Sequence, residues 1–264
     1  MKGSRLVITI AVLSALAVMT GAVIYLNSDA RKSSLAAALQ DEGKVLMTKG
    51  QAEEAEKKLT EAIELDPQEP AYHFDLGKVL EQEGDFSRAM LSFNKAAELN
   101  PANPDFAYQA GRMAIKEGKP KEATKYFEKA TTADAGHLLS LYQLGYQYAV
   151  ARKLDPAEKT YREILALSPR EPEAYKMLGF IYAERDNLGE AEKMLQKAVE
   201  LNPGYGAAYN DLGLLYERMG RNQEARAMYE KALSINPSDQ DAQANLDKLT
   251  HGLASPSRGG LPQP

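Results

Sequence analysis

The chain has 264 residues, a formal net charge of -5, 44% hydrophobic and 26% charged residues, and no cysteine. That balance excludes a polypeptide disordered throughout, and the acidic excess argues against sequence-independent nucleic-acid binding, which needs a basic face. The missing cysteines exclude disulfides, thiolate catalysis and cysteine-held zinc.

Residues 1–5 form a short N-terminal stretch carrying Lys2 and Arg5. From Leu6 to Leu26 the chain has no charged residue. As a helix rising about 1.5 Å per residue, this run approaches the roughly 30 Å of a bilayer core. Residues 6–26 therefore read as one transmembrane signal-anchor helix, with Tyr25 where an interfacial aromatic would sit. The alternative is a cleaved secretory signal, for which Ser28 and Ala30 supply small residues at the right spacing. The apolar core of a signal is about 7–15 residues, and this one is longer. Lys2 and Arg5 favour a cytoplasmic N-terminus, opposed by Arg31 and Lys32 across the run. A signal-anchor would then leave the rest of the chain extracytoplasmic, in a periplasm where there is one; cleavage would give a secreted form. Residues 27–35 read as a polar linker.

Beyond the linker the chain repeats. Pro67, Pro101, Pro169, Pro203 and Pro237 fall on one 34-residue lattice, with Ala135 in the vacant place. The lattice divides 36–239 into six units: 36–69, 70–103, 104–137, 138–171, 172–205 and 206–239. The eighth place of each is Gly43, Gly77, Gly111, Gly145, Gly179 and Gly213; the twentieth is Ala55, Ala89, Ala123, Ala157, Ala191 and Ala225. With glycine near 7% of residues, six in register by chance has a probability of about 10⁻⁷. A helix-interior glycine costs about 1 kcal/mol against alanine, so a packing reason is expected: small residues there let two helices approach closely.

Each unit reads as two helices. In 172–205, Pro172 opens the first at a place where its missing donor costs nothing. Tyr175, Leu178, Gly179 and Tyr182 make one stripe, Asp186-Asn187 turns the chain, and Ala191, Leu195 and Ala198 give the second helix its inner face. Asn202-Pro203 ends it. After 239, a helix over 240–250 is expected, capped by Ser238 or Asp239. Leu246 and Leu249 would cover the open end of the last repeat. The Gly-, Pro- and Ser-rich stretch 251–264 reads as a disordered tail.

This pattern resembles the tetratricopeptide repeat. The match is close in the last unit, with Tyr209, Leu212, Gly213, Tyr216, Ala225, Tyr229, Ala232 and Pro237 on the signature positions. It departs at Glu42 in the first unit, at Ala107, Ala110, Ala114 and Ala135 in the third, and at Ile164 in the fourth. The resemblance implies an all-α, right-handed superhelical solenoid of six helix pairs with a capping helix, behind one transmembrane helix. It also implies that partner proteins or peptides bind in the concave groove lined by the first helix of each pair. The groove residues it indicates are Lys44, Phe74, Lys78, Tyr108, Arg112, Tyr142, Tyr146, Lys176, Phe180 and Asn210. A basic row, Lys44, Lys78 and Arg112, gives way to Tyr146, Phe180 and Leu214, so a partner would set apolar residues near Tyr146 and Phe180 and acidic ones near Lys78 and Arg112. Some family members clamp a partner's C-terminal carboxylate. No three consecutive repeats here carry that clamp: Lys176 matches, but Phe180 follows where asparagine is needed.

No catalytic constellation stands out. His73, His137 and His251 are scattered without metal-ligand spacing, and neither a phosphate loop nor a nucleophile elbow is present. The expectation is a non-enzymatic protein without cofactor or metal. It would be an anchored adaptor gathering partners into an envelope complex, or else a self-assembling scaffold or the accessory subunit or import-type receptor of a membrane machine.

Overall fold

The computed structural model describes residues 28–254, and over that range every regular element is a helix. The chain forms two compact units, divided between Ala135 and Gly136. The first holds α1 over described residues 28–48, α2 Ala52–Leu65, α3 Pro70–Glu83, α4 Phe86–Leu99, α5 Pro104–Lys116 and α6 Pro120–Ala133. The second holds α7 Leu138–Val150, α8 Leu154–Leu167, α9 Pro172–Glu184, α10 Leu188–Leu201, α11 Gly206–Arg218, α12 Asn222–Ile235 and α13 Gln240–Ala254.

Helix boundaries follow local chemistry. Proline occupies the first helical position of α3, α5, α6 and α9, where no intrahelical donor is lost. Asp85 accepts from the Arg88 amide (3.0 Å) to cap α4. At α13, Asp239 accepts from the Asp241 (3.1 Å) and Ala242 (3.0 Å) amides.

The repeated glycine has a more specific cause than close backbones. A Cβ on Gly77 would lie 2.7 Å from the Phe93 ring, on Gly111 2.6 Å from Phe127, and on Gly213 2.3 Å from Tyr229. On Gly43 and Gly179 it would meet Leu59 and Leu195 at 2.9 and 2.6 Å, and on Gly145 the Tyr161 ring at 3.0 Å. The second helix of each pair thus lays one large side chain into the notch that the glycine leaves. The six alanines of the companion column are all fully buried.

The turn between paired helices demands a left-handed residue. Gly50, Gly84, Gly118 and Gly220 supply it with φ between 69° and 81°. The two equivalent places hold Arg152 (φ 60°) and Asp186 (φ 62°), a conformation that costs a side-chain-bearing residue about 1–2 kcal/mol. Arg152 is exposed and, among the described residues, its side chain reaches Glu184 alone, an ion pair of small worth at such a surface. Arg152→Gly is therefore expected to raise stability by up to about 1 kcal/mol, read as a higher urea midpoint. A lower midpoint would mean that the Glu184 pair outweighs the backbone strain.

In the second unit one core runs from Leu141 through Tyr161, Ile181, Leu195 and Tyr229 to Leu249, with Leu246 packed against it. Between α8 and α9, Glu158 gathers hydrogen bonds from Arg162 Nε (2.8 Å), Tyr182 Oη (2.7 Å) and Arg185. Burial alone would raise its pKa; those donors and the Arg185 charge overcome it and hold the carboxyl down at about 2.

Residues 28–35 are helical rather than a loop: no glycine or proline falls within 28–42, and Ser33 donates to Asp66 (3.2 Å) on the α2 side. The last helix is described as far as Ala254, past the expected end at 250. The rest of the expected disordered tail, 255–264, lies outside the described residues. So does the run Leu6–Leu26; among the described residues no helix is long and apolar enough to cross a membrane.

Candidate partner-binding faces

The first helices of the pairs carry the predicted groove residues, and the two units use them differently. In the first unit the basic row is already paired. Asp75 on α3, almost wholly buried, receives Gln40 Nε2 (2.6 Å), Lys78 Nζ (2.6 Å) and Lys44 Nζ (3.4 Å). Arg112 donates to Gln109 (2.6 Å) and shares Glu81 with Lys116, at 3.4 and 2.8 Å. Phe74 is half-buried between Phe93 and Phe106, with ring centroids 5.4 and 4.9 Å away, and Lys78 Nζ lies 4.9 Å over it. Tyr108 leans on Phe127 at 6.0 Å. The basic row is thus salt-bridged within the protein, while Lys44, Lys78 and Arg112 stay partly exposed.

The second unit presents an open apolar ledge. Tyr146 on α7 is 52% exposed, Phe180 on α9 39% and Leu214 on α11 44%. Beside the first two lies a cavity of about 230 Å³, lined also by Val150, Met177, Lys176 and Asp211. That is below the roughly 300–1,000 Å³ of a small-molecule site and suits a single side chain. Other predicted residues are occupied elsewhere. Tyr142 donates to Glu171 (3.2 Å), and burial, then Glu171, push its pKa up. Asn210 accepts from Asn245 Nδ2 (3.0 Å) and so tethers α13. Lys176 sits 3.3 Å from Glu173, its Nζ 5.6 Å from the Tyr205 ring.

Sequence reasoning missed Asp211. Among the described residues its carboxylate has no hydrogen-bond or ion-pair partner. Burial drives its pKa up to about 6, with Lys176 pulling down and Glu173 pushing up. The signal was available: Asp75 and Asp211 occupy the same place four repeats apart. A carboxyl with a folded pKa above its unfolded value of 3.8 adds stability that is complete below the unfolded value and lost as pH rises through about 6. Asp211→Asn should therefore raise the melting temperature at pH 7.5 and leave it nearly unchanged at pH 3.5. An equal shift at both values would show that ionisation is not the cause.

Two of the histidines serve turns. His73 donates to the Pro67 carbonyl (3.0 Å), and His137 shares a hydrogen bond with Ser140 (2.7 Å). Among the described residues no group of three or more histidine, aspartate or glutamate side chains could hold a metal ion.

Three family models, each described as tetratricopeptide repeat, match residues 41–104, 80–144 and 171–238. The chain carries tetratricopeptide repeats. Solved structures agree on the fold of this repeat chain. YrrB, described as a TPR protein with an unusual peptide-binding site, is 26% identical, with a TM-score of 0.59 over 70% of this chain and 96% of its own. MamA is 25% identical, with a TM-score of 0.57 over 61% and 95%. A tetratricopeptide repeat protein from Parabacteroides merdae is 20% identical, with a TM-score of 0.67 over 84% and 88%. A search of curated proteins found no match. Tetratricopeptide proteins bind protein or peptide partners, and the repeats here have the form of an interaction module.

Proposed function

We propose that this protein is a non-catalytic, membrane-anchored adaptor whose second unit grips a segment of a partner polypeptide, for assembly of a complex at the cell envelope. The observation that carries the binding role is the ledge of Tyr146, Phe180 and Leu214, one large apolar side chain per repeat in register on the first helices. Large side chains in adjoining exposed positions mark interaction sites more often than they occur idly. The peptide-binding site of YrrB, at 26% identity, supports a peptide as the kind of ligand. The uncharged run Leu6–Leu26 supports the anchor, with the repeats outside the cytoplasm.

Cells expressing the full chain test each element. Alkaline carbonate should leave the chain in the membrane pellet, and protease admitted to the extracytoplasmic side should remove the repeats. Release by carbonate would overturn the anchor, and protection from protease the orientation. Crosslinked pull-down should recover a discrete partner of different sequence. Recovery of this chain alone, with concentration-dependent growth in light scattering, would replace the adaptor by a self-assembling scaffold.

A further inference from the structure

Two aspartates at one place in the repeat, Asp75 buried and Asp211 partly buried, form an internal comparison. Asp75 shows what a carboxylate there requires: two ammonium groups and an amide, from Lys44, Lys78 and Gln40. Four repeats on, the places of those three residues are taken by Phe180, Leu214 and Lys176. Both flanking lysines have become apolar. The lysine that replaces the glutamine, Lys176, is turned to Glu173 and Tyr205, and no ion pair joins it to Asp211. Asp211 thus lines the 230 Å³ cavity as a carboxylate lacking the cations that its counterpart holds, beside Tyr146, Val150, Met177 and Phe180.

We propose that this cavity seats a lysine or arginine side chain of the docked partner segment, its alkyl stem against Met177 and Phe180 and its cationic head on the Asp211 carboxylate. The inference rests on the groove-binding reading above and adds the chemistry that the ledge selects. Long basic side chains suit the site because their stems bury against apolar walls while the charged end finds a polar partner. The rings of Tyr146 and Phe180 also favour a cation above their faces. Local charge agrees: with Asp211 and Glu173 ionised and Lys176 protonated, the site carries one unmatched negative charge. An acidic residue in the same place would meet Asp211 across a poorly solvated gap and be rejected.

The Asp211 carboxyl's raised pKa supplies a second readout. The charged groups whose fields reach Asp211 are Lys176 and Glu173, both on α9. From α7 the facing titratable group is the Tyr146 phenol, and α13 presents the neutral Asn245 to neighbouring Asn210. A cation on Asp211 should thus bind well above pH 6 and progressively less below it.

Selection of a random twelve-residue peptide library on the full chain in detergent tests the idea. The pool selected by the native chain at pH 7.5 should be enriched in Lys or Arg beside apolar residues. Asp211→Asn should keep the apolar enrichment, lose the basic one, and bind the selected Arg peptide at least about tenfold more weakly. That peptide should also weaken between pH 7.5 and 5 on the native chain but not on Asp211→Asn. Lys176→Met, which removes the competing cation, should bind it more tightly. A native pool without basic enrichment, or the same enrichment on Asp211→Asn, overturns the assignment while leaving the apolar ledge standing. A pool that enriches nothing, or one indifferent to Tyr146→Ala with Phe180→Ala, overturns the groove-binding reading and this inference with it.

Discussion

Replacing Gly213 by alanine is expected to destabilise the second unit by up to about 2 kcal/mol net, although alanine is the better helix former. The added methyl would lie 2.3 Å from Cε1 of Tyr229. That ring is fully buried and held at its far end, where its hydroxyl donates to Glu217 (2.6 Å). It cannot swing away without breaking this bond or opening the helix pair. Overpacking of this kind costs about 1–3 kcal/mol, occasionally more, against a propensity gain of about 1 kcal/mol. Gly189 is the control. Nothing lies within 4 Å of a Cβ there, so Gly189→Ala should be neutral or stabilising. Gly179→Ala, facing the more adaptable Leu195, should fall between them. Urea midpoints read all three, and an unchanged midpoint for Gly213→Ala would show that Tyr229 is not what the glycine accommodates.

The second large effect concerns binding. Tyr146→Ala with Phe180→Ala removes two aromatic side chains that are substantially exposed and so add little to folding; surface changes of this kind stay within about 0.5 kcal/mol. Aromatic anchors at the centre of an interface commonly contribute at least about 2 kcal/mol each to binding. The double variant should lose partner capture at least about a hundredfold while its circular-dichroism melting curve overlays that of the native chain. Capture that persists undiminished would remove the ledge from the binding surface.

The repeats were legible in the sequence because the chain solves one packing problem six times. The proline lattice and the glycine and alanine columns are six samples of the same helix pair. Their full cause was not legible. That Gly77 answers to Phe93, or Gly213 to Tyr229, depends on the register of antiparallel helices, which no single column reveals. The pairing within the basic row was not fully legible for a related reason. Lys78 pairs with Asp75 three residues before it on α3, but Lys44 reaches Asp75 from the preceding repeat, and that contact exists only after packing. Asn210 was assigned to a partner and instead tethers the last helix. Asp211 escaped notice because a lone aspartate on a helix reads as solvated until the neighbours that bury it are in place. Tyr146 and Phe180 were legible as large apolar residues on the first-helix face, and among the described residues no element covers them.

The most direct test of the ledge as a docking surface places a photo-crosslinking amino acid at position 180 in living cells, with position 91 on α4 as control. Leu91 is also apolar and more exposed, at 62%, but belongs to a second helix of its pair. Irradiation should yield discrete adducts with another polypeptide from position 180 and none from position 91. No adduct from position 180, or the same pattern from both, would contradict the account.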